Sequence, residues 1–273
     1  MSSDNPVKAI VAGAGGRMGG RIIAMVSEAE GITLGAAFEH PDSPAVGKDA
    51  TALAGLPESG ITVADNLDEV IDQGDVLIDF TFHEATVKHA KTASQAKKPM
   101  VIGTTGFSKS ELEKIAELAK EFPVVLAPNM SVGVNLLYKL VETAAKVLGD
   151  DYDIEIVEAH HRMKKDAPSG TALQLGRVAA AALERDFDTV AVYERYGNIG
   201  ERSKEEIGIQ TVRAGDIVGE HTVLFGGIGE RIELVHKASS RDTFAKGAVR
   251  AAKWIVNQPP GLYDMQDVLG LKD

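Results

Sequence analysis

The sequence predicts an α/β fold: an N-terminal Rossmann-like, doubly wound parallel sheet, followed by a smaller α+β domain with a mainly antiparallel or mixed open sheet. Three observations point there. Short apolar runs alternate with helical patterns through the first half of the chain. A glycine cluster joins the first run to the first helical stretch. Past Leu148 the texture changes to longer strand-like runs separated by turn residues.

Residues 7–12 (VKAIVA) form a short apolar run that reads as a buried strand, and residues 17–30 read as the helix after it. Residues 32–38 are a second strand and 61–63 a short third. Residues 75–80 (DVLIDF) and 99–102 (PMVI) are two more buried runs, with a helix over 84–96 between them. Ser108, with Glu111 three residues on, makes a capping box for a helix over 108–121. A strand over 123–127 follows, then a helix over 131–148. Strands alternating with helices in this way imply a parallel sheet covered on both faces.

In the second half, residues 153–159 read as a strand and 171–183 as an alanine-rich helix. Strand runs at 207–213, 221–225 and 230–236 are separated by Ala-Gly-Asp and Gly-Gly-Ile-Gly, spacings that suggest hairpins. A last helix over 243–256 carries Phe244, Ala248, Ala251, Ala252 and Ile255 on one side. The organisation reads as a dinucleotide-binding domain (1–130), a substrate-binding and oligomerisation domain (131–240), and a C-terminal segment (241–273) returning to the first domain.

The composition sets limits. A chain of 273 residues holds one large domain or two ordinary ones. Its net charge of −11, with no basic patch, argues against a nucleic-acid partner. It also means that cations meeting an anionic ligand must be concentrated locally. With no cysteine there are no disulfides, thiolate metal sites or thiol nucleophiles. No signal-like leader and no uncharged run long enough to cross a bilayer is found, so the expected location is the cytoplasm.

Two motifs carry chemistry. The first is Gly13-Ala14-Gly15-Gly16-Arg17-Met18-Gly19, between the first strand and first helix. Glycines permit a tight turn and close approach to a pyrophosphate, which rests on the helix N-terminus. Strict GxGxxG spacing fails because residue 18 is methionine; the glycines fall at 13, 16 and 19 instead. Glu39 ends the second strand, where an acidic side chain accepts a ribose hydroxyl. Gly103-Thr104-Thr105-Gly106 and Ala127-Pro128-Asn129-Met130 each follow a buried strand, where an open parallel sheet binds its ligands.

The second motif runs from Glu155 to Ala172, EIVEAHHRMKKDAPSGTA. Strand alternation puts His160 on the face of Ile154, Ile156 and Glu158, and His161 on the other. One histidine can then face a substrate while the other binds or supports. Histidine suits proton donation near neutral pH. Lys164 can neutralise a carboxylate or give up a proton. Pro168-Ser169-Gly170-Thr171 starts a helix whose free N–H groups can hold a carboxylate. The same residues also read as a surface histidine pair and a solvated lysine turn. A metal site has little support without HExxH or cysteine, and Ser169 lies in no GxSxG elbow.

That second motif closely resembles the signature of the bacterial 4-hydroxy-tetrahydrodipicolinate (dihydrodipicolinate) reductase family. VAGAGGRMG, the DFT at Asp79–Thr81, GTTGF, SVGVN, RAGDIVGEHT and HKASSR are similar to further family segments along the chain. The resemblance implies reduction of a cyclic, conjugated dicarboxylate by NADH or NADPH on the diaminopimelate route to lysine. It implies His160 as proton donor, Lys164 as a second donor, and His161, Gly170 and Thr171 as substrate-binding. It places the dinucleotide against Gly13, Ala14, Gly15, Gly16, Arg17, Met18, Glu39, Gly103, Thr104, Thr105, Ala127, Pro128, Asn129 and Met130. It also implies a homotetramer built through the second domain's sheet.

The chain departs from the family pattern twice. His40 stands where an arginine able to meet the 2′-phosphate of NADPH is common, so NADH is expected to serve at least as well. Phe82-His83-Glu84 replaces a frequent Arg-Pro, which changes the cofactor contacts of that loop. A dehydrogenase acting on a sugar or semialdehyde, and a non-catalytic dinucleotide sensor, are the competing readings. Neither needs the His-His-Arg-x-Lys segment.

Overall fold

A computed structural model describes residues 5–272. From the N-terminus, β1 (Val7–Ala12) leads through the glycine loop into α1 (Arg17–Glu28) and β2 (Ile32–Phe38). After a short α2 (Ala50–Leu53) come β3 (Val76–Asp79), α3 (His83–Gln95) and β4 (Met100–Ile102). Then follow α4 (Lys109–Leu118), β5 (Pro123–Leu126) and the long α5 (Val132–Leu148). The second half holds β6 (Asp153–His160), α6 (Gly170–Ala182), α7 (Phe187–Val190) and β7 (Ala191–Val192). It continues with β8 (Ile207–Arg213), β9 (Gly219–Gly226) and β10 (Arg231–Ala238). The chain ends in α8 (Asp242–Ile255), β11 (Gly261–Tyr263) and α9 (Met265–Leu269).

The chain divides into two compact units. The first comprises residues up to Val132 together with those from Asp242 onward. Its six-stranded sheet has the order β11-β5-β4-β3-β1-β2, and every pairing is parallel. Alternation along β1 sends Ala9 and Val11 to one face and Ile10 and Ala12 to the other. On the first face they meet Ile22, Ile23 and Val26 of α1 and Ala248, Ala251 and Ile255 of α8. On the other they meet Ala90 and Ala93 of α3 and Ile115 of α4. Burial on both faces is why these strands read as continuous apolar runs, and each large side chain removed from water contributes about 1.5–3 kcal/mol. The start of α4 is the expected capping box: Ser108 Oγ accepts from the Glu111 N–H, and Glu111 accepts from the Ser108 N–H.

The second unit spans Gly133–Arg241. Its five-stranded sheet, order β10-β9-β6-β8-β7, is mixed. The pairs β10–β9 and β9–β6 are antiparallel, while β6–β8 and β8–β7 are parallel. One face carries Ile154, Ile156, Ile207, Ile209, Val223 and Phe225 and packs under α5 and α6. The other face carries Val157, Val212 and Val235, all more than a third exposed. Among the described residues, no helix is long and apolar enough to cross a membrane.

Several expectations need correction. Residues 61–63 form no strand, only isolated bridges of Thr62 to Asp49 and Ala64 to Phe38. The Asp49 carboxylate instead organises this segment, accepting from the N–H groups of Thr51, Ala52, Ser59 and Gly60. The Ala-Gly-Asp turn makes no hairpin, because β6 inserts between β8 and β9. In α8, Phe244 is only half-buried, and Ala245 and Val249 join the core instead.

Candidate active site

In the first unit, the loops after β1, β2, β3, β4 and β5 all leave the C-terminal edge of the sheet. Gly13 adopts φ +70, a left-handed conformation natural to glycine. A Cβ on Gly19 would lie 2.0 Å from the Gly13 carbonyl oxygen, so the loop closes only around glycine there. The N-cap of α1 is Gly16, with no side-chain cap and no acidic residue in the first turn. The donors of that turn are thus left for an anion. The Glu39 carboxylate sits beside the loop: Oε2 accepts from the Gly15 N–H at 3.0 Å and Oε1 from the His40 N–H at 2.9 Å. Gly13, Glu39, His40, Phe82 and Lys88 are among the residues that line a cleft of ≈ 440 Å³.

The Gly103–Thr105 loop is tied to the same edge. The buried Asp79 carboxylate accepts from Thr81, Thr86 and the Thr81 N–H, and His89 Nδ1 lies 2.7 Å from its Oδ2. Thr104 Oγ1 is 2.9 Å from Thr86 Oγ1, and the Gly103 N–H donates to the Asp79 carbonyl. Sequence reasoning missed Asp79 and His89 as the anchor of these loops. Ala14, Thr104, Ala127 and Met130 are buried, so their side chains offer nothing to a ligand. Met130 in particular belongs to the core against α8, where a Cβ on Gly247 would lie 1.7 Å from the Met130 carbonyl. Arg17, Thr105 and Pro128 remain exposed.

In the second unit, alternation along β6 puts His160 on the same face as the fully buried Glu158. His160 Nδ1 lies 2.6 Å from Glu158 Oε2. Arg213, opposite His160 on β8, grips the same carboxylate through Nη1 and Nη2, both at 2.8 Å. The Ser169 N–H donates to Glu158 Oε1 at 2.9 Å. Burial pushes the Glu158 carboxyl up, but the bonds from His160, Arg213 and Ser169 outweigh it and hold it at about 2.

Lys164 Nζ donates to Asp166 at 2.9 Å and is mostly shielded from water. Ser169 caps α6, its Oγ accepting from the Ala172 N–H, and the same Oγ is 3.1 Å from His221 Nε2. Burial, and after it the neighbouring His160, pushes His221 down to about 3, so it is neutral. Gly170 and Thr171 form the first turn of α6, and Thr171 also bonds the Tyr138 hydroxyl. His161 is half-buried, with Nε2 3.5 Å from Arg241. The structure therefore gathers His160, His161, Lys164, Gly170 and Thr171 along one strand end, one loop and one helix start. Glu158, Arg213 and His221 were missed as parts of this cluster. The signal for Glu158 was present, since a residue two before a strand histidine shares its face.

A family model described as "Dihydrodipicolinate reductase, N-terminus" matches residues 7–130, and one described as "Dihydrodipicolinate reductase, C-terminus" matches residues 133–269. The chain belongs to the dihydrodipicolinate reductase family. It is 58% identical over 266 residues to the 4-hydroxy-tetrahydrodipicolinate reductase of Syntrophus aciditrophicus (strain SB), covering 97% of this chain and 99% of that one. The enzyme of the same name from Geotalea uraniireducens (strain Rf4) is also 58% identical, covering 97% and 100%. Among solved structures, a dipicolinate-bound dihydrodipicolinate reductase from Paenisporosarcina sp. TG-14 superposes with a TM-score of 0.78 at 26% identity. That match covers 96% of this chain and 98% of the other. As a member of the dihydrodipicolinate reductase family, the chain is an oxidoreductase with a Rossmann-like first unit and a mixed second sheet.

Proposed function

We propose that this protein reduces 4-hydroxy-tetrahydrodipicolinate to tetrahydrodipicolinate with NAD(P)H, in the diaminopimelate route to lysine. The observation that carries the reading is the segment between β6 and α6. It sets His160, Lys164 and the N-terminus of α6 within a dozen residues. The likeness to reductases of that name over nearly the whole chain supports it.

A dinucleotide fits the first unit because the loop admits only glycine at 19, α1 begins without a side-chain cap, and the Glu39 carboxylate is fixed by the N–H groups of Gly15 and His40. Bound there, the reduced nicotinamide supplies hydride. Gly13, Gly15, Gly16, Arg17 and Met18 receive the pyrophosphate, and Glu39 accepts the ribose hydroxyls. The loops at 103–105 and 127–130 offer main-chain atoms to the remainder. His40 follows an acidic neighbour and supplies an imidazole there rather than a fixed, bidentate guanidinium. NADH is accordingly used at least as well as NADPH.

In the second unit, a substrate carboxylate takes the N–H groups of Gly170 and Thr171, with His161 as a further partner. Lys164 neutralises anionic charge and is a second proton source. Hydride arriving at a ring carbon leaves an electron-rich neighbouring centre, which takes a proton from His160 Nε2. The half-exposed Val157, Val212 and Val235 on the uncovered sheet face support assembly into a homotetramer through that face. The test is oxidation of NADH and of NADPH with freshly prepared 4-hydroxy-tetrahydrodipicolinate. Turnover with either supports the reading, and none with both, in protein that binds the dinucleotide, rejects it.

A further inference from the structure

Glu158 is a fully buried carboxylate one step behind the proposed proton donor. Its neighbours use nearly all of its capacity. Oε2 faces His160 Nδ1 and Arg213 Nη1, while Oε1 faces Arg213 Nη2, the Ser169 N–H and, at 3.3 Å, Thr211 Oγ1. No water or ligand is needed to satisfy it.

An ionised buried carboxylate only accepts. The His160 nitrogen 2.6 Å away must therefore carry the proton, which fixes Nδ1 as N–H and leaves Nε2 as the working atom. Beside Nε2 the facing strand has Gly219, where a Cβ would come within 3.1 Å. A side chain there would crowd the nitrogen, and glycine leaves its approach open.

We propose that Glu158 and Arg213 are positioning residues for the reaction, Glu158 fixing the tautomer of His160 and supporting its charged form, and Arg213 limiting how strongly it does so. This rests on the reading of His160 as proton donor. In the step itself, Nε2–H of the imidazolium gives its proton to the substrate carbon set rich in electrons by hydride. The neutral imidazole keeps Nδ1–H against Glu158, whose carboxylate stays ionised throughout. Solvent returns one proton to Nε2 after product leaves.

The groups around His160 set opposing fields. Glu158 on its own strand favours the imidazolium. Arg213 on β8 and Lys164 in the following loop oppose it, Asp166 in that loop offsets both, and the His221 ring of β9, 5.2 Å from that of His160, is neutral. Removing Glu158 or Arg213 therefore moves His160 in opposite directions, which a merely structural role would not do.

The experiment is side-chain nitrogen NMR of His160 in the full-length protein, assigned with His160→Gln, alongside the pH dependence of kcat/KM with NADH. Glu158→Gln is expected to lower the His160 titration midpoint by about 1–3 pH units, and Arg213→Gln to raise it. The alkaline limb of the pH–rate profile is expected to follow each shift. Each variant stands alone as a test, so loss of folding in one leaves the other decisive. A midpoint that stays put, or both midpoints moving the same way, overturns the proposal. Midpoints that shift as stated under an unmoved rate limb overturn the donor role of His160, and the catalytic use of the pair with it.

Discussion

The main-chain N–H of Gly15 donates to the Glu39 carboxylate across 3.0 Å, joining the glycine loop to the end of β2. In the proposed function this carboxylate meets a ribose, and its charge lies where the extra phosphate of NADPH would arrive. His40, the next residue, is exposed; its Nδ1 accepts from the Asp42 N–H at 3.3 Å and lies 3.7 Å from the Asp42 carboxylate. Replacing His40 with arginine is expected to raise kcat/KM for NADPH relative to NADH by about tenfold or more, through a bidentate phosphate contact. Steady-state kinetics with both cofactors checks this, and an unchanged ratio rejects it.

Removing both proposed proton sources, with His160→Gln and Lys164→Ala together, is expected to lower kcat by about 10²–10⁴-fold. NADH affinity, a property of the first unit, is expected to change little. Fluorescence titration with NADH reads the second quantity independently of turnover. Unchanged kcat sinks the assignment.

Gly19 offers a test of the cofactor loop alone. Alanine there would set its Cβ 2.0 Å from the Gly13 oxygen. Since that oxygen is backbone, the loop must deform rather than swing aside. We expect Gly19→Ala to weaken NADH binding at least about tenfold, or 1.4 kcal/mol. Binding of a cyclic dicarboxylate probe to the second unit, where the proposed function places the substrate, should persist when followed by calorimetry.

The pair His83–Glu111 links the start of α3 to the cap of α4 at 2.8 Å. The bond from His83, then those from Ser108, holds Glu111 at about 2, below its ordinary 4.5. The Glu111 bond likewise raises His83 above its ordinary 6.5. A depressed carboxylate stabilises above its unfolded value and loses that as pH falls towards 2. A raised histidine stabilises below its unfolded value and loses that as pH climbs through its folded one. The two windows overlap between pH 4.5 and 6.5. The gap in Tm between wild type and His83→Ala is expected to be widest there and to narrow by pH 9. A gap independent of pH would remove the charge explanation.

Local pattern made the first sheet legible because strands buried on both faces announce themselves as apolar runs, and helices such as α4 carry their own capping chemistry. Pairing order is not local. Nothing in residues 207–226 reveals that β6 comes between β8 and β9, so the Ala-Gly-Asp turn read as a hairpin. The three residues of β11 are too few to show a period, and they are strand only because the edge of β5 offers partners. At the site, the sequence pointed to positions better than to atoms. Thr104 and Met130 follow β4 and β5, yet their side chains serve Asp79 and the core. Glu158 lay in plain view two residues before His160, but its burial and its grip by Arg213 depend on a strand more than fifty residues away.

The first unit is discontinuous, its sheet completed by β11 and its α1 face covered by α8, both encoded after the whole of the second unit. A ribosome therefore releases the second unit's full sequence while the cofactor fold still lacks a helix and an edge strand. Until residues 242–263 emerge, Ile22, Ile23 and Val26 of α1 have no α8 against which to close. The nascent chain thus carries an apolar face that its last segment alone can cover. Stalled or prematurely terminated products would expose that face, a natural mark for chaperones and proteases.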